Sequence, residues 1–63
     1  MKLLVNGKML ATEAKTVQEL LDELNEEVMA VAVNMSVVKK DNWSIFKLSE
    51  DDKIELIEFV GGG

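Results

Sequence analysis

The sequence predicts an α+β fold: one helix packed on one face of a small mixed sheet of four or five strands. Three observations carry that prediction. Thr16-Val17-Gln18-Glu19 is a capping box, and it opens an amphipathic helical stripe. Short apolar alternations of strand type lie on both sides of that stripe. Asn6-Gly7, the strongest short hairpin signal, separates the first two of them.

Residues 2–6, KLLVN, read as the first strand, with Leu3 and Val5 on one face and Lys2, Leu4 and Asn6 on the other. Asn6 and Gly7 both tolerate positive φ, so Lys8 to Ala11 is the returning strand. Val17, Leu20, Leu21 and Leu24 then fall at i, i+3, i+4 and i+7, with Gln18, Glu19, Asp22 and Glu23 left to water. The helix is expected over 16–25, and its early acids suit the N-terminal dipole. Val28 to Asn34, VMAVAVN, is the next strand. Met29, Val31 and Val33 alternate with Ala30, Ala32 and Asn34. Both faces are apolar, which predicts a strand covered on one side and close to its neighbours on the other.

Met35 and Ser36 connect to a short strand at Val37-Val38. Lys39 to Ser44 is a polar loop that carries the one tryptophan, Trp43. Ser49-Glu50-Asp51-Asp52 is an acidic turn, and Lys53 to Val60, KIELIEFV, is the last strand. In it Ile54 and Leu56 point one way, Ile57 and Phe59 the other. The order is β-β-α-β-β-β. A crossover containing a helix separates the first and last strands, so these two can pair in parallel at the centre. That is the β-grasp, or ubiquitin-like, arrangement. Residues 1–60 form this one domain, and 61–63 a flexible C-terminal glycine tail.

Composition removes several classes of function. A chain of 63 residues buries only about 60% of its unfolded surface, which disfavours a large enclosed active site. It contains no cysteine, histidine, tyrosine, arginine or proline. The usual general base and the usual metal ligands are therefore missing, and a small core without disulfides fits a reducing, cytoplasmic compartment. The net charge is −5, and the seven lysines form no stripe, so nucleic-acid binding is disfavoured. No apolar run is long enough to span a membrane, and the polar breaks at Asn6, Gly7 and Lys8 make a poor signal peptide.

Few side chains remain as candidates. Glu26-Glu27 and Glu50-Asp51-Asp52 lack the alternating ligands and bend glycine of a calcium loop, and solvated acidic turns describe them better. Trp43 is either a ligand-stacking residue or a loop anchor at the edge of the core. Leu4, Ile57 and Phe59 share the sheet face away from the helix. They mark a partner-binding surface that Val60 extends, unless a loop covers that face or the register slips by one. The most distinctive feature is the end, Gly61-Gly62-Gly63. Glycine averages about 7% of residues, so three in a row at a given place arise by chance about 0.03% of the time. Glycine keeps the end flexible, fits a narrow channel and leaves a terminal carboxylate unhindered.

In this order the residues resemble the ubiquitin-like sulfur carriers (the ThiS/MoaD family), and most closely their thiamine-biosynthesis branch. The resemblance covers the whole chain: "VNG" after the first strand, "TVQELL" at the helix start, "VAVN" with "VV" shortly after, the lone Trp43, and "DDKIELIEFVGGG". Two positions depart from the usual pattern. Lys39 stands where many members have proline, and Asp51 where many have glycine, although Asp tolerates the left-handed region that the turn needs. The resemblance implies a carrier with no catalytic residues and no bound cofactor. A ubiquitin-activating-like adenylyltransferase (ThiF type) would use ATP to adenylate the carboxylate of Gly63. Sulfur from a cysteine desulfurase would displace AMP and leave a thiocarboxylate. Thiazole synthase (ThiG type) would receive that sulfur, with Gly61 and Gly62 threading the partners' active sites. The same tail also serves the molybdopterin-synthase small subunit, a protein modifier conjugated through Gly63, or a binding module whose tail is incidental.

Overall fold

Asn6 and Gly7 take φ of 48° and 83°. They turn the chain between β1 (Lys2–Val5) and β2 (Lys8–Ala11) in the computed structural model, which describes residues 1–59. The remaining elements are α1 (Val17–Leu24), β3 (Val28–Val33), β4 (Ser36–Val38), a 3-10 turn (Lys40–Asn42) and β5 (Lys53–Glu58). They form one five-stranded sheet in the order β2-β1-β5-β3-β4. β5 lies at the centre, parallel to β1 and antiparallel to β3. This is the β-grasp topology expected from the element order.

α1 is shorter than expected because the two end residues are caps. Thr16 is extended, and its hydroxyl accepts from the Glu19 N–H at 3.1 Å. The return bond of the box lands one residue early: the Lys15 N–H, not that of Thr16, donates to Glu19 Oε1 at 2.8 Å. Two more N–H groups at the helix start, those of Val17 and Gln18, donate to the carbonyls of Phe46 and Trp43. The long loop therefore caps the helix as well as following it. At the other end Asn25 adopts φ of 53°, and the Glu26 N–H closes back onto the Leu21 carbonyl.

Leu20 and Val17 pack from the helix against Leu3, Val31 and Ile54 from the sheet, and all five are fully buried. Leu21, Val28, Val33, Val38, Trp43, Leu48 and Leu56 complete the core with Ala14. Of the two apolar sets of β3, the core takes Val31 and Val33 but not Met29. Met29 is 54% exposed, and Val28 is buried in its place. The cause is a bulge: Val28 opposes Glu58 and Ala30 opposes Ile57, so Met29 is an extra residue on β3 and reverses the alternation before it. The last strand also ends earlier than expected, at Glu58, and Val60 lies outside the described residues.

The loops are held by polar groups of their own. Asp51 occupies the left-handed region at φ 68°, the conformation anticipated for the acidic turn. Glu50 accepts from the Lys2 N–H and Asp52 from the Ser49 N–H, each at 2.8 Å, so both carboxylates serve the backbone. Among the described residues Thr12 is the buried polar one. Its hydroxyl donates to Glu23 Oε1 at 2.7 Å and accepts from the Ala14 N–H at 3.0 Å. Thr12→Val keeps the shape but leaves that N–H buried without a partner. The expected loss is about 1–3 kcal/mol, read as a lower urea midpoint at unchanged slope.

Candidate functional site

The candidate site is the end of the chain, and its core lies at and beyond the edge of what the structure describes. Val60, Gly61, Gly62 and Gly63 are outside the described residues. What is visible is the strand that carries them. β5 is the central strand, gripped by β1 at its start and by β3 along its length. In sequence the tail follows this central strand, whose last residues pair with β3 alone.

The three predicted docking residues are not brought together. Leu4 and Ile57 do lie on the sheet face away from α1. Leu4 sits opposite Met9 and Lys53, and Ile57 opposite Ala30. Lys53 and Ile57 are four residues apart on β5, which separates the positions of Leu4 and Ile57 by roughly 13 Å along the sheet. On the outer face of β5, Lys53 lies at the level of Leu4 and Glu55 between it and Ile57, so the apolar surface is divided. One part is Leu4 with Met9; the other is Ile57 with Ala30, Ala32 and the exposed Val37. Phe59 joins neither. Strand alternation stops with β5 at Glu58, and Phe59 borders a groove of about 310 Å³ on the helix side, together with Leu21, Val28 and Trp43.

Trp43 is an anchor of the loop. It is 7% exposed, and its indole N–H donates to the Val38 carbonyl at 2.8 Å. The described residues contain no group of three or more His, Cys, Asp or Glu arranged to hold a metal ion. No helix is long and apolar enough to cross a membrane. The sequence places Asn6 in a turn and Asn34 at a strand end, and the structure adds that each also bonds through its side chain to β5. Their αL-tolerant residue type was visible; their partners, far along the chain, were not.

A β-grasp domain whose central strand precedes a glycine triplet in sequence has the architecture of the ubiquitin-like proteins. Comparison with known proteins narrows this. The ThiS family model matches residues 3–63. The sulfur carrier protein ThiS of Escherichia coli (strain K12) is 30% identical over 66 aligned positions, covering 100% of both chains. The crystal structure of the thiamine biosynthesis protein ThiS from Geobacter metallireducens superposes with a TM-score of 0.83 at 29% identity, again over 100% of each chain. The thiazole synthase of Paramagnetospirillum magneticum is 38% identical over 66 positions, which take in 100% of this chain and 20% of that one. The chain therefore spans about a fifth of the thiazole synthases that it matches. It belongs to the ThiS family.

Proposed function

We propose that this protein carries sulfur for thiazole formation in thiamine biosynthesis, with the carboxylate of Gly63 as the site that is loaded. The observation that carries the reading is the whole-length match to the sulfur carrier ThiS of Escherichia coli. The match to one fifth of two thiazole synthases supports the choice of acceptor, because there a domain like this one shares a chain with that name. Thiazole synthase is accordingly the proposed recipient, and an adenylyltransferase and a cysteine desulfurase are the proposed suppliers, all in the cytoplasm.

The chemistry needs little from the carrier itself. A carboxylate is a poor acyl donor, because its leaving group is an oxide. A carboxylate oxygen attacks the α-phosphate of ATP on the activating partner and pyrophosphate leaves. The acyl adenylate then accepts a sulfur nucleophile at its carbonyl carbon as AMP departs. Hydrosulfide gives the thiocarboxylate directly, whereas a desulfurase-derived persulfide gives an acyl disulfide. A thiol reductant cleaves the S–S bond of that acyl disulfide to release the thiocarboxylate and form a disulfide. The product thiocarboxylate is a compact sulfur nucleophile that a second partner can receive. The carrier supplies the acyl group and a rigid body to grip, and no general base or nucleophile of its own is required, in line with a chain without Cys or His.

Intact-mass measurement tests this. The chain is incubated with an adenylyltransferase of this family, ATP and a sulfur source. The expected result is a mass gain equal to exchange of one oxygen for one sulfur, located by fragmentation at Gly63. No gain with an enzyme that charges the Escherichia coli carrier sinks the reading. A ladder of isopeptide adducts in its place identifies a protein modifier.

A further inference from the structure

The central strand is supported unevenly. β1 pairs with β5 at Leu4–Lys53 and Val5–Ile54, whereas β3 accompanies it as far as Glu58. Past Ile54 the β1-facing edge of β5 has no strand beside it among the described residues. Asn6 occupies that gap with its side chain. The Leu56 N–H donates to Asn6 Oδ1 at 2.8 Å, and Asn6 Nδ2 donates to the Leu56 carbonyl at 3.3 Å. The Asn6 N–H donates to the Ile54 carbonyl at 2.9 Å. A carboxamide offers one acceptor and a donor side by side. It can therefore stand in for the next residue of a paired strand while the backbone, at φ 48°, turns away into the hairpin.

Asn34 makes a comparable clamp at the opposite end of β5. Its φ is 50°, and its Oδ1 accepts from the Lys53 N–H at 3.0 Å. Its Nδ2 donates to Asp52 Oδ1 at 2.9 Å. The two asparagines thus hold the same strand, one where it begins and one where it leads to Phe59 and the tail.

We propose that Asn6 is a positioning residue for the carrier's reaction: its amide holds the free edge of β5 at Leu56, so that the end of the strand presents one geometry to a partner. This rests on the sulfur-carrier reading above. With both edges of the strand end held, a partner that works on Gly63 meets one geometry. With the Asn6 edge released, the strand end samples several, and only a fraction are competent. Apparent affinity then falls by that fraction, while the rate at saturation is kept. A residue with a purely structural role lowers stability without that selectivity, and Asn34 supplies the comparison.

Asn6→Gly and Asn34→Gly test this, because glycine keeps the positive φ and each change removes one clamp. Amide exchange is measured on the full chain, and sulfur loading by the adenylyltransferase is followed well below the melting midpoint of each variant. In Asn6→Gly the Leu56 amide is expected to exchange about fivefold to tenfold faster, and KM for the carrier to rise several-fold with kcat kept. Asn34→Gly is expected to keep the parental KM. Asn6→Asp provides a second route should the glycine variant fold poorly. It retains the acceptor for the Leu56 N–H but sets an oxygen against the Leu56 carbonyl, and the same rise in KM is expected. Unchanged KM in the Asn6 variants overturns the proposal, as does an equal rise in Asn34→Gly. If the parent chain gains no sulfur, the carrier reading falls and this proposal with it. If the parent and Asn6→Gly load alike, this proposal alone falls.

Discussion

Deletion of Gly63 is expected to abolish sulfur loading by about 100-fold or more while leaving the fold intact. The deletion is informative because Gly62 then becomes the terminus. The new end is still a glycine carboxylate, with the same basicity and the same lack of side chain. Only its reach differs. Removing one residue retracts the carboxylate by about 3.3–3.6 Å in an extended chain. That is the full length of a near-attack distance, about 3–3.5 Å, and misplacement by about 1 Å already costs some 100-fold. Stability gives the control. Among the described residues the buried core extends no further along the chain than Leu56, so the melting midpoint of the shortened chain should match the parent. Intact mass after loading and a thermal scan on the same sample check both halves. Loading at the parental rate would show that the partner does not measure distance from the domain to Gly63, and the proposed site would have to move.

The order of the elements was legible because their signals are local. Asn6-Gly7 needs only two residues to specify its turn, and Thr16 with Glu19 needs only one helical turn. The parallel pairing of β1 with β5 follows from chain connectivity. The phase of β3 was not legible. In VMAVAV either alternation presents apolar residues to the core, so a period of two carries no information about which set faces in. The bulge at Met29 settles it through pairing with β5, a partner more than twenty residues away. Asn6 and Asn34 show the same limit. Their backbone conformation can be read from residue type, but their side-chain bonds to Leu56 and Lys53 depend on which strand the fold lays beside them. The candidate site divides in the same way. The glycine triplet is legible as sequence alone, whereas the separation of Leu4, Ile57 and Phe59 depends on strand register and on where β5 stops.

Leu20→Ala is expected to have the largest effect on stability of any single truncation in the helix. Leu20 is fully buried, in the middle of the stripe that α1 lays on the sheet. Removing a buried leucine side chain to alanine costs about 2–5 kcal/mol, the loss of transfer free energy plus the cavity left behind. A domain of this length has about 3–9 kcal/mol in total, at 0.05–0.15 kcal/mol per residue. The change therefore removes a large share of the whole, and each kcal/mol shifts the midpoint by roughly 4–8 °C in so small a domain. There is little scope for relaxation, because Leu20 meets fully buried neighbours from β1, β3 and β5 and the helix is capped at both ends. Ile45→Ala provides the contrast: Ile45 is 69% exposed, and its loss should stay within about 0.5 kcal/mol. Urea unfolding of both variants decides the matter. A Leu20→Ala midpoint close to that of Ile45→Ala would mean that the helix is not held by its apolar stripe. The sheet and the loop that caps α1 through the carbonyls of Trp43 and Phe46 would then have to carry it.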